Sequence, residues 1–281
     1  MKVMRGFTLF ELIVVILVLG ILGAGVSAFM GNTVQLFNGV VQREQLMNES
    51  RFVVTRMTKE IQQAIPNSLR ISGNSGVHCL EFVPVQWLAA YAHIPVLPTS
   101  DRIMDMVFPI DADGLFHFVA FNQYVVINPL VPSHVYDLNQ NRRARVLNCS
   151  DDGDGRCPTR DDSDDVIQVQ LSNAFAEAST GRHVYFASRT VSYCVSAGVL
   201  YRKEDALTST QSLSLNRAHV VATALTNTLS ASPGTAPGSQ DPFHLYPGSM
   251  GASNGVQIRL LFSKNEEQLI QFKEVYPHGR P

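Results

Sequence analysis

Residues 5–30 read RGFTLFELIVVILVLGILGAGVSAFM. From Leu12 to Met30 there are 19 residues and no charge. A membrane-spanning helix needs about 20 predominantly apolar residues, so this run with its lead-in has spanning length. Lys2 and Arg5 precede it, and the next basic residue is Arg43. That asymmetry keeps the leader on the cytoplasmic side and sends the remainder outward. One residue breaks the pattern: Glu11 lies at the entrance of the apolar run. An ionised carboxylate in hydrocarbon is costly, so it points to a function and calls for a partner.

Three readings compete for this stretch. An ordinary secretory signal carries a small-residue cleavage site after its apolar core. Ser27-Ala28 is such a pair, but the core is long for that role. A plain signal anchor fits the length and orientation and leaves Glu11 unexplained. The third reading uses every feature. The ordered set Arg5, Gly6, Phe7, Thr8, Leu9 and Glu11, followed by an unbroken apolar run, resembles the class III signal of type IV pilins and pseudopilins.

The resemblance implies cleavage between Gly6 and Phe7 by a prepilin peptidase, with the apolar helix retained. It implies N-methylation of the new amino group on Phe7. It places the family's assembly glutamate at Glu11, where a neighbouring subunit's Phe7 amine supplies the buried counter-charge. It implies as partners the other minor and major pilins, the prepilin peptidase, the inner-membrane assembly platform and the inner membrane itself. Many major pilins have a helix-bending proline in this segment. Here none occurs before Pro66, and Gly20, Gly23 and Gly25 occupy the region instead.

Helical periodicity continues beyond the apolar run. Met30, Val34, Phe37 and Val41 fall on one face, and so do Val54, Met57, Ile61 and Ile65. Pro66 is a natural stop. The expected layout is a leader at 1–6, a membrane or filament-core helix at 7–30, an amphipathic helix at 31–65 and a β-rich head at 66–281. The expected strands are VHCLEFVPV, IMDMVF, LFHFVAF, QYVVIN, DVIQVQL, HVYFAS, TVSYCVS, VLYRK, VQIRLLFS and LIQFKEV. Several alternate apolar with polar residues, as half-buried strands do. TVSYCVS and VLYRK flank Ala197-Gly198, a hairpin turn. Residues 230–255, rich in Gly, Pro and Ser, read as a long loop. The fold class is α+β: a long helix on an antiparallel sheet. RFVVTRMTKEIQQAIPNSLRI and VSYCVSAGVLYRKEDA resemble the larger minor pilins and the J-type pseudopilins of type II secretion.

Four cysteines, Cys79, Cys149, Cys157 and Cys194, allow three pairings. Cys149 and Cys157 bracket a short acidic loop and are paired with each other. That leaves Cys79 with Cys194, both in strand-like runs. Four reduced thiols are the alternative. That loop lies in the segment NCSDDGDGRCPTRDDSDD, residues 148–165, whose seven aspartates invite a cation. Ser150, Asp152, Asp154 and Gly155 match positions one, three, five and six of an EF-type Ca²⁺ loop, and Asp161 falls at position twelve. Asp152, Asp154 and Asp161 are therefore candidate Ca²⁺ ligands, against the alternative of a solvated acidic loop.

Other chemistry is missing from the sequence. The net charge of −2, with no cluster of Lys and Arg among aromatics, sets nucleic acid aside. There is no Walker loop, HExxH, GxSxG or dinucleotide fingerprint, so no catalytic residue is assigned and no enzyme is expected. His93, Asp101 and Asp105 have no spacing that supports acid–base work. Trp87–Tyr91 reads as core or subunit interface.

Overall fold

The computed structural model describes residues 9–107, 119–150, 166–234, 240–248, 253–264 and 267–278. One helix, α1 (Leu9–Gln62), runs 54 residues without interruption. The chain divides into two compact units, Met1–Asn48 and Glu49–Pro281.

In the second unit, α1 buries a stripe of Val53, Met57 and Ile61, each fully inaccessible. The i, i+4 spacing places these side chains above one another on one face. Val53, rather than the expected Val54, takes the innermost place. The helix also stops at Gln62 instead of reaching Ile65. The last residues before Pro66 are recruited by a neighbouring segment. Ile65 N donates to Val83 O at 2.8 Å, and Val85 N donates to Gln63 O at 2.9 Å. A strand-like pairing has replaced the final helical turn.

The head's elements follow in order. They are β1 (Arg70–Asn74), β2 (Val77–Phe82), β3 (Trp87–His93), β4 (Ile103–Val107) and β5 (Tyr124–Val126). A short α2 (Pro132–Tyr136) precedes β6 (Arg143–Ser150), β7 (Val166–Leu171), β8 (His183–Ala187), β9 (Arg189–Ser196) and β10 (Val199–Ala206). The series closes with β11 (His219–Ala222), β12 (Phe243–Tyr246), β13 (Gly255–Lys264) and β14 (Glu267–Val275). The α+β class holds, and among the described residues all neighbouring strands pair antiparallel.

The described strands form two open sheets and a closed barrel rather than one sheet. A five-stranded sheet has the order β1-β2-β9-β10-β11, and a three-stranded sheet has the order β12-β13-β14. Inserted in sequence between β2 and β9 of the five-stranded sheet, β3-β4-β7-β6-β5-β8 close into a barrel. Closure leaves no free edge on those six strands. The barrel is filled by alternate side chains of each strand, among them Trp87, Tyr91, Met104, Met106, Val169 and Phe186. Trp87 and Phe186 are cross-strand partners whose rings stack with centroids 3.5 Å apart. Trp87, Ala89 and Tyr91 are therefore core, while Leu88 and Ala90 face outward.

The β9–β10 hairpin turns at Ala197 and Gly198, with φ of 47° and 77°. Two positive φ values are what a type I′ turn requires, which explains the glycine. Two expectations need correction. Residues 230–255 contain β12, so this is not an uninterrupted loop. Of the expected strand LFHFVAF, residues 115–118 lie outside the described residues, and Val119–Phe121 are not in a strand.

Candidate functional site

Glu11 stands in the first turn of α1. Around and after it, Leu9–Ser27 forms a 19-residue window of mean hydropathy 2.7, none of it buried by the chain itself. A helix apolar on all sides demands an apolar environment supplied from outside, lipid or other helices. This window is long and apolar enough to cross a membrane. Gly6 and Phe7 lie outside the described residues.

Residues 1–27 match the family model of the prokaryotic N-terminal methylation motif. The chain carries a prepilin-type N-terminus. That motif is the class III signal found at the N-terminus of type IV pilins. It implies processing by prepilin peptidase and assembly with other pilins, and the apolar helix fits membrane anchoring. No curated protein and no solved structure matches the chain. The prepilin-type segment is thus identified by its first 27 residues, while the head stands on its own geometry.

In the head, Cys79 and Cys194 form the expected disulfide. They are register partners on the neighbouring strands β2 and β9, so the bond joins the middle of the five-stranded sheet. Cys149 is also disulfide-bonded. Its expected partner Cys157 lies outside the described residues, as do the candidate Ca²⁺ ligands Asp152, Asp154 and Asp161. Among the described residues, no group of three or more His, Cys, Asp or Glu could hold a metal ion. His93 and Asp105 do meet, with Nδ1 and Oδ2 4.0 Å apart, at a register pair of β3 and β4. Asp101 instead accepts from the backbone N–H groups of Arg102 and Ile103 through Oδ1. The three do not converge.

Two buried polar groups were not visible in the sequence. Arg70 on β1 and Glu81 on β2 are cross-strand partners. Arg70 Nε donates to Glu81 Oε1 at 2.8 Å, and Ser192 Oγ donates to Glu81 Oε2 at 3.2 Å. Arg70 also lies over the Tyr136 ring, 3.6 Å from its centroid. Burial pushes the Glu81 carboxyl up from the usual carboxylate range, and Arg70 pulls it only part of the way back. The second group is His78 and Asp241, both fully buried, with Nδ1 and Oδ1 3.5 Å apart. Ser230 ties them together: its N–H and hydroxyl donate to Asp241, and its carbonyl lies 2.8 Å from His78 Nε2. Here the serine side chain meets aspartate and not a histidine nitrogen, so the trio is a strut that pins Ser230 and Asp241 to β2. The only sequence signal for either group was a charged or polar residue inside an otherwise apolar strand, as in HCLEF.

On the surface of the second unit, Arg202 donates to both Glu60 oxygens and to Glu204, linking β10 to the end of α1. Hydrogen bonds from Arg189 and Arg202 hold the Glu204 carboxyl below the usual range. This pairing orients the helix end on the sheet, and at such exposure it contributes little to stability.

Proposed function

We propose that this chain is a minor pilin-like subunit that primes or caps assembly of a type IV pilus of the mannose-sensitive haemagglutinin (MSHA) type. The observation that carries the reading is the prepilin motif with Glu11 in the first turn of an unbroken apolar helix. In this reading residues 1–6 are removed at Gly6–Phe7 and residues 7–30 anchor the chain, once, in the inner membrane. Residues 31–65 carry the helix outward, and residues 66–281 form a head in the periplasm. The subunit then enters the filament through its helix, alongside other minor and major pilins.

Glu11 registers one helix against the next by pairing with a neighbour's Phe7 amine, since a carboxylate in an apolar bundle needs a cation. A head built from two sheets and a barrel repeats less readily along a thin fibre than a small one, which favours the tip. Because the motif is shared with pseudopilins, a J-like subunit capping a type II secretion pseudopilus is the second reading. The neighbouring genes separate the two.

Processing gives a direct test. Gly6→Ala or Gly6→Val adds a side chain where the peptidase approaches the backbone, and is expected to leave the leader attached. Immunoblots of cells carrying the peptidase would show one slower band for the variant and the processed band for wild type. Equal processing of both contradicts the cleavage assignment.

A further inference from the structure

Two strands of the second unit end their sheets with a bare edge. β11 closes one side of the five-stranded sheet and β14 one side of the three-stranded sheet, and among the described residues no strand lies beyond either. β14 pairs with β13 over all nine of its residues without a bulge, and it contains no proline. A long, regular edge with unpaired N–H and C=O groups is a template for another strand, and proteins usually blunt it with prolines, bulges or a covering element. Here β14 carries exposed Ile270 and Phe272, and β11 carries exposed Val220.

The two edges are matched in height along α1 and opposed in direction. β14 rises with the helix. Gln271 Nε2 donates to Ser50 Oγ at 3.1 Å, and further along the chain His278 N donates to Gln62 O at 2.9 Å. β11 descends along the same stretch of helix. His219 is the register partner of Arg202, whose guanidinium donates to Glu60, and Thr223 N, just past the end of β11, donates to Glu49 Oε1 at 2.9 Å.

This match selects the partner. Two copies paired β14 to β14 about a two-fold axis would run those strands antiparallel. Their α1 helices would then point opposite ways, which anchoring in one membrane forbids. Two copies standing side by side with parallel helices bring β14 of one to the height of β11 of the next. The two strands then run antiparallel, the sense in which ladder bonds lie directly across. Ile270 and Phe272 come opposite the strand that carries Val220, and aromatic or β-branched residues make favourable cross-strand pairs.

We propose that anchored copies of this chain associate side by side, β14 of one head against β11 of the next. The proposal rests on the reading that residues 7–30 anchor the chain in a membrane. The contact is heterologous, so each end of a row keeps one free edge and the row can grow. β11 supplies only four residues. The contact is therefore weak between free heads and gains from confinement in one bilayer with the helices aligned. Such rows hold subunits together in the membrane ahead of their entry into a filament.

The test reconstitutes the full chain into phosphatidylcholine vesicles as Val220→Cys, as Phe272→Cys and as an equal mixture of the two, followed by a mild thiol oxidant. Both positions are exposed, and melting curves confirm that the variants are folded. The result expected is a disulfide-linked dimer on a non-reducing gel of the mixture, which neither variant forms alone. Chains that float with the vesicles but give no dimer in the mixture, or as much dimer from either variant alone, would overturn the side-by-side contact. Chains that do not float with the vesicles would overturn the anchored reading and the proposal with it.

Discussion

Replacing Cys79 and Cys194 together by alanine is expected to lower stability by about 4 kcal/mol. The two cysteines are 115 residues apart in sequence, so their bond closes a loop that contains the whole barrel. A cross-link restricts the unfolded chain more as its loop grows, and a 100-residue loop corresponds to about 4.7 kcal/mol in the chain-entropy account. Both sulfurs are fully buried between β2 and β9. The double substitution avoids stranding a single thiol and leaves Cys149 untouched, which a reducing agent would not. Urea unfolding of the full chain in detergent reads the change as a lower midpoint. A shift of under about 1 kcal/mol would mean that the barrel, and not the cross-link, restrains the unfolded chain.

The second large effect concerns Arg70. Its side chain is 14% exposed and that of Glu81 only 2%. Arg70→Met keeps the stem and removes the charge, stranding the Glu81 carboxylate. Breaking one member of a buried pair costs about 3–5 kcal/mol in other proteins. The loss carries a pH signature whose sign is fixed by Glu81. Its carboxyl is already raised by burial, and removing Arg70 raises it further. A raised folded-state value means that the folded form holds its proton more tightly than the unfolded form. The contribution of Glu81 is therefore fully present below the unfolded value of 4.5 and is lost as pH climbs through the folded value. The variant should accordingly be weakest at neutral pH and regain stability on acidification. Unfolding curves at several pH values would show this, and a deficit that does not change with pH would contradict it. Glu81→Gln in the Arg70→Met background should remove the pH dependence.

The parts of the fold legible in the sequence are those governed by short-range pattern. A run without charge from Leu12 to Met30 can only be a helix in an apolar setting, and α1 follows it. The Ala197-Gly198 turn and its two alternating arms specified their own hairpin. The disulfide at Cys79 and Cys194 followed once the other two cysteines were set aside as a local pair. What failed depends on distant partners. The helix loses its last turn because Val83 and Val85, some twenty residues on, capture Gln63 and Ile65. β12 is four residues long and exists by pairing with β13, so its composition alone reads as loop. Barrel closure requires β5 to pair with both β6 and β8, a choice that no single strand encodes. At the N-terminus, the methylation motif over residues 1–27 was legible because the signal is contiguous. The buried group of His78, Ser230 and Asp241 was not, because its residues come from separated segments that meet only in the fold.

The central claim, that this subunit enters and starts a filament through its N-terminal helix, is tested most directly in a clean deletion strain. The strain is complemented with wild type or with Glu11→Ala, and surface filaments are counted by electron microscopy. The account predicts that filaments vanish on deletion and return with wild type, and that Glu11→Ala fails to restore them although the protein is made and processed. Normal filament numbers in the deletion strain, or full restoration by Glu11→Ala, would contradict it.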